Sequence, residues 1–160
     1  MGNLDDVMSL LTSPPRMARG WQERVFPPQP AAGASMTMAV PGDVWWRILS
    51  THVKLLTSAV VANRFLDWRV IDPDGNALLV VPVSAGIAAA TTFRMSLAQG
   101  IPTLALNPSG TNAGGLYDLL IPPGWSVSWN LVAADAADQL SELWMITQKF
   151  PSDSAYIGPG

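Results

Sequence analysis

The sequence predicts an all-β fold, an antiparallel β-sandwich of jelly-roll type with an extended N-terminal arm. Three observations predict it. From residue 34 onward, apolar and polar residues alternate with period two, as in half-buried strands. About eight such runs recur roughly every 8 to 14 residues, separated by Pro, Gly, Asp and Asn. No helical periodicity lies between them, which excludes βαβ units, and no internal repeat points to a solenoid or propeller.

Residues 1–33 are expected to form the arm. Asn3 can cap a short helix whose Leu4, Val7, Met8 and Leu11 share one face, and Ser13-Pro14-Pro15 ends it. Arg16, Arg19, Trp21, Arg24 and Phe26 follow, then a Pro-rich stretch that should run extended. A single helix of about ten residues is marginal alone. Leu4, Val7, Leu11, Arg16, Arg19, Trp21, Arg24 and Phe26 are therefore candidate contacts of an arm that lies on the body or on a neighbouring subunit.

Residues 34–150 are expected to form the sandwich. Met36 and Met38 alternate with Thr37 and Ala39 ahead of Pro41-Gly42. The run from Asp43 to Leu56 places Val44, Trp46 and Ile48 on one face, and a change of phase before Val53 and Leu55 calls for a bulge near Ser50 to His52. A strand from Arg64 to Ile71 sets Leu66, Trp68 and Val70 against Phe65, Asp67 and Arg69. Asp72-Pro73-Asp74-Gly75-Asn76 is a turn, from which Leu78 to Val83 returns. Thr91 to Ala98 alternates again, Thr103 to Leu106 reads as a short strand, and Asn107 to Gly115 reads as a flexible loop. Tyr117 to Ile121, Trp125 to Leu131 and Leu140 to Phe150 complete the set, with Ala133 to Asp138 as a loop. Residues 151–160 have the composition of a loose or partner-pinned tail.

Composition narrows the function classes. Charged residues are 13% of the 160, about half the usual share, while hydrophobic residues reach 49%. Seven Trp exceed what a core of this size needs, so some are expected at contact surfaces. Trp46, Trp68 and Trp129 fall in phase with the core, leaving Trp21, Trp45, Trp125 and Trp144. A net charge of −3 argues against a nucleic-acid partner. With no Cys, disulfides and thiolate metal sites are excluded. The acidic N-terminus lacks the cations of a signal peptide, and no apolar run reaches the ~18 residues of a membrane span. A chain made in the cytoplasm, with no membrane partner, is the expectation.

Chemistry-bearing residues are few. A Ser-His-Asp triad would have to route through His52, the one histidine, yet no Gly-x-Ser-x-Gly elbow is present. Asp72 and Asp74 fit turn chemistry without the spacing of an EF-hand loop. Asp135 and Asp138 add carboxylates with no defined pairing, and Gly110 to Gly115 do not join a strand to a helix as a phosphate cradle would. No enzyme, cofactor or metal site is expected. Arg64 is a candidate for an ion pair with a carboxylate such as Asp67 or with another subunit. Trp45, on the face opposite Trp46, and Trp125, beside Pro123-Gly124, are the candidate interface aromatics.

Val53-x-Leu-Leu-Thr-Ser58, Ala62-Asn-Arg64, Asp72-Pro-Asp-Gly75, Leu120-Ile-Pro-Pro-Gly-Trp125 and the stretch from Ala134 to Leu143 resemble small structural proteins of tailed bacteriophages. The likeness spans roughly residues 44–150 and is to capsid decoration (cement) and minor virion proteins with sandwich or jelly-roll cores. It implies a homo-oligomer, commonly a trimer, seated over gaps between subunits of the major capsid protein on the virion surface, with arms that clamp neighbours. It implies no catalytic residues. A carbohydrate-binding or host-recognition module of a head or tail fibre, stacking sugars on Trp45 and Trp125, is the alternative. A neck or tail connector subunit is a third reading.

Overall fold

The computed structural model describes residues 20–82, 86–102 and 110–152. Leu4, Val7, Leu11, Arg16 and Arg19 of the expected arm, the expected strand over 103–106 and residues 153–160 lie outside these. Ten strands follow one another: β1 (Trp21–Val25), β2 (Met36–Ala39), β3 (Val44–Leu56), β4 (Phe65–Ile71), β5 (Ala77–Pro82), β6 (Thr92–Gln99), β7 (Thr111–Leu116), β8 (Leu120–Ile121), β9 (Ser126–Val132) and β10 (Gln139–Pro151). They form two packed sheets, so the fold is an all-β sandwich. The larger sheet runs β1-β10-β3-β6-β7 with β8 beside β3, and the smaller runs β2-β9-β4-β5.

Period-two patterning decides which side chains enter the space between the sheets. Trp46, Val53, Leu55, Phe93 and Met95 point in from the larger sheet, and Met36, Leu66, Trp68 and Trp129 from the smaller. Each buried side chain of this size stabilises the fold by about 1.5–3 kcal/mol. Trp46, Trp68 and Trp129 are at most 1% exposed, as their phase requires. The indole N–H of Trp129 donates to Thr51 Oγ1 at 3.0 Å, and that hydroxyl donates to the Trp144 carbonyl at 3.3 Å, which stitches the two sheets together.

The expected bulge is present, one residue before the start of the Ser50–His52 range. Ser50 pairs with Ile146 while Ile48 pairs with Thr147, so Leu49 is the extra residue and the buried face changes phase there. A second bulge lies on β10, where Glu142 and Leu143 together face Val53; Glu142 takes the left-handed conformation, φ 50°.

Three expectations change. Trp21–Val25, placed in the arm, is the edge strand β1 and pairs antiparallel with β10. The second half of the expected loop over Asn107 to Gly115 is strand β7, which pairs with β6 in parallel, the one departure from antiparallel order among the described strands. Its glycines serve close approach: a Cβ on Gly114 would lie 2.9 Å from Met95 Cε and 3.1 Å from Leu97 Cδ2. Pro151, placed in the tail, still pairs with Val44 at the end of β10.

Candidate functional site

Two features of the surface are built rather than incidental. The first lies at the end of the sandwich where β3 finishes and β4 begins. Arg64 and Asp138 are both fully buried, and Arg64 Nε donates to Asp138 Oδ2 at 2.5 Å. The rest of the guanidinium holds the β3–β4 loop: Nη2 donates to Ser58 Oγ at 2.8 Å and to the Val60 carbonyl at 2.9 Å, and Nη1 to the Ala62 carbonyl at 3.4 Å. Asp138 accepts in turn from the backbone N–H groups of Ser58 and Asp135 at 2.8 and 2.7 Å. Burial pushes the Asp138 carboxyl up, but the bonds from Arg64, Ser58 and Asp135 outweigh it and hold the group below its usual range. A loop anchored in this way presents its apolar tip outward. Val61 is 91% exposed and Val60 55%, and the cross-strand neighbours Phe65 and Val132 are also exposed at this end.

Arg64 makes the expected ion pair with a carboxylate, but the partner is Asp138 rather than Asp67, and its burial keeps it from the surface where a second chain could meet it. Asp67 instead holds Arg69 through two bonds of 2.6 and 2.8 Å. A two-residue spacing on one strand face brings that pair together, whereas Arg64 precedes the strand and turns inward.

The second feature is the outer face of the larger sheet. Neighbouring strands set Ser96, His52, Trp144 and Arg24 side by side. His52 stacks on Trp144 with centroids 5.3 Å apart and planes 13° from parallel. The Arg24 guanidinium lies over the Trp144 ring at 5.1 Å and over the Phe26 ring at 4.8 Å. These contacts fasten β1 to the sheet and are cation–π in kind. The β10 bulge turns Glu142 onto this face, where it accepts from Lys54 Nζ at 2.8 Å and lies 3.5 Å from Arg94 Nε. The Lys54 hydrogen bond is the main reason that the Glu142 carboxyl sits below its usual range. Burial lowers His52 from its ordinary value, Glu142 raises it and Arg94 lowers it further, with a net shift downward.

Ser96, His52 and Glu142 bear on the question of a triad. The Ser96 hydroxyl is 2.8 Å from His52 Nδ1, and Glu142 Oε2 is 4.0 Å from His52 Nε2. At 4.0 Å Glu142 does not hydrogen-bond His52, so no carboxylate orients the ring. Glu142 is already engaged by Lys54 and Arg94. Ser96 lies inside β6, between β3 and β7, so its backbone serves the ladder rather than an oxyanion.

The remaining site candidates separate. Trp21 and Phe26 are exposed, and Arg24 is exposed but engaged by two rings. Trp45 is half-buried on the outer face of β3, and Trp125 is half-buried against the core. Asp72 accepts from the Asn76 N–H at 2.7 Å and from Asn76 Nδ2 at 3.0 Å, while Gly75 takes φ +88°, so the Asp-Pro-Asp-Gly segment acts as a turn. Among the described residues no three His, Asp or Glu side chains are placed to hold a metal ion. No helix among them is long and apolar enough to cross a membrane.

No protein-family model matches the chain, and no curated protein sequence does. Solved structures with similarity include a chain from infectious bursal disease virus strain Gx, at a TM-score of 0.39 and 12% identity over 84% of this chain and 33% of that one. A chain from the Gt strain of the same virus gives 0.27 and 14% over 83% and 30%. The present chain thus spans a third or less of the length of either.

Proposed function

We propose that the chain is a structural subunit of a virion: a capsid decoration (cement) protein that self-associates as a trimer and binds neighbouring subunits of the major capsid protein. The observation that supports it most is the anchored apolar loop. A fully buried ion pair fixes the β3–β4 loop so that Val60 and Val61 stand in water, and the paired Phe65 and Val132, where β4 starts and β9 ends, are exposed as well. Soluble monomers seldom leave such patches bare, and interfaces between subunits cover them. A surface short of charge points the same way. The carbohydrate-binding alternative needs open indole faces, and Trp45 and Trp125 are both half-buried.

The test has two parts. Light scattering after size exclusion should find a multimer at micromolar concentration, and the chain should sediment with the particles it decorates. Val61→Asp should lower both the mass and the bound fraction while far-UV circular dichroism stays unchanged. A monomer that ignores particles overturns the proposal, and density for the chain at a neck or tail moves it to a connector.

A further inference from the structure

Charge is divided unevenly over the molecule. On the outer face of the larger sheet, Arg24, Arg47, Lys54 and Arg94 meet two carboxylates, Glu142 and Asp118. Among the described residues no carboxylate pairs with Arg24, whose guanidinium is instead held in place by Trp144 and Phe26. A guanidinium fixed between two rings has lost much of its conformational freedom in advance, so less is lost when a carboxylate arrives. The rest of the described surface has the opposite sign. Asp43, Asp67, Asp72, Asp74 and Asp135 face one cation, Arg69, while Arg64–Asp138 and Lys149–Glu23 neutralise themselves. Two of these carboxylates, Asp72 and Asp74, flank Pro73 in the exposed β4–β5 turn, where the Asn76 bonds hold the Asp72 carboxyl below its usual range.

We infer that the cationic, aromatic face of the larger sheet, centred on Arg24, Lys54 and Arg94, receives the acidic β4–β5 turn of a second copy of this chain. By the register Arg24 lies three strand spacings and four residues from Arg94, roughly 20 Å between backbones, but its side chain leans over Trp144 toward Lys54 and Arg94, so a tight turn with two carboxylates can face all three charged groups. Face and turn are different surfaces, so the contact is heterologous, and such contacts close into rings when the rotation between copies allows. The inference rests on the reading of the chain as a self-associating subunit and names the surfaces that meet.

Charge exchange in the full chain tests it. The face is reversed in Lys54→Glu/Arg94→Glu, and the turn in Asp72→Asn/Asp74→Lys, where Asn at 72 keeps an acceptor for the turn. Sedimentation of each at low salt should show association weakened at least about tenfold, as expected for the loss of two or three exposed charge pairs. Raising salt from 25 to 500 mM should weaken the unaltered chain in the same direction. Combining all four changes in one chain should restore association, because reversed face then meets reversed turn at every contact. Association of the unaltered chain that ignores salt and both variants overturns the inference and leaves self-association standing. Loss in each variant without restoration in the four-change chain also overturns it and points to another acidic occupant. An unaltered chain that is monomeric throughout overturns self-association itself.

Discussion

Replacing one member of the buried ion pair, Asp138→Asn, is the most demanding perturbation that the structure offers. Asn keeps the shape and can still accept one backbone N–H, but it leaves the Arg64 guanidinium, 0% exposed, with only the Ser58 hydroxyl and two carbonyls for company. A buried charge stripped of its partner costs about 3–5 kcal/mol. A domain of this size has roughly 5–15 kcal/mol to lose, and each kcal/mol moves its melting temperature by about 2–4 °C. Asp138→Asn should therefore melt roughly 6–20 °C lower, with a matching fall in the urea midpoint at unchanged slope. Arg64→Met should cost a similar amount by isolating the carboxylate. The double variant should cost at least about 2 kcal/mol less than the two singles together, because neither charge then remains buried alone. Singles costing under about 1 kcal/mol, or strict additivity in the cycle, would refute the reasoning that this pair holds the β3–β4 loop.

Further outcomes follow from the outer face and from β7. His52 is lowered in the fold, so the unfolded chain binds the extra proton first, and stability should decline as pH falls below about 6.5. His52→Gln should flatten that part of the stability profile, leaving the decline at lower pH that comes from the depressed Asp138 carboxyl. Arg24→Ala removes the contacts over Trp144 and Phe26 and should cost about 1 kcal/mol, read as faster amide exchange in Trp21–Val25 than in β3. Gly114→Val should destabilise by about 1–3 kcal/mol in urea titrations, since its new methyls would overlap Met95 and Leu97.

Regular alternation made most of the sandwich legible before any coordinates. Trp46, Trp68 and Trp129 could be placed in the core because their neighbours two residues away are also apolar, and the phase change in β3 revealed its bulge. The second bulge also has a signal in the sequence. Leu140 and Leu143 are both buried but three residues apart, which period-two order cannot satisfy without an extra residue at Glu142. β7 hid because glycine reads as a loop residue, whereas here it marks contact with Met95 and Leu97. The partner of Arg64 is not legible locally, because Asp138 is 74 positions away in the chain and nothing near Arg64 singles it out from Asp135 or Asp67. The same holds for the His52–Trp144 stack, which depends on the pairing of β3 with β10.

That pairing has a consequence for how the protein is made. In the larger sheet β10, the last of the ten strands to be synthesised, lies between β1 and β3, which are among the first. Until it emerges, β1 has no partner in the sheet and one edge of β3 is open. Translation therefore delivers most of the sequence before that sheet can close, and the early strands must wait through several seconds of synthesis. Fragments ending before Gln139 lack Met145 from the core, and those ending before Asp138 leave Arg64 without its counterion. Such fragments lack the ion pair that anchors the Val60–Val61 loop.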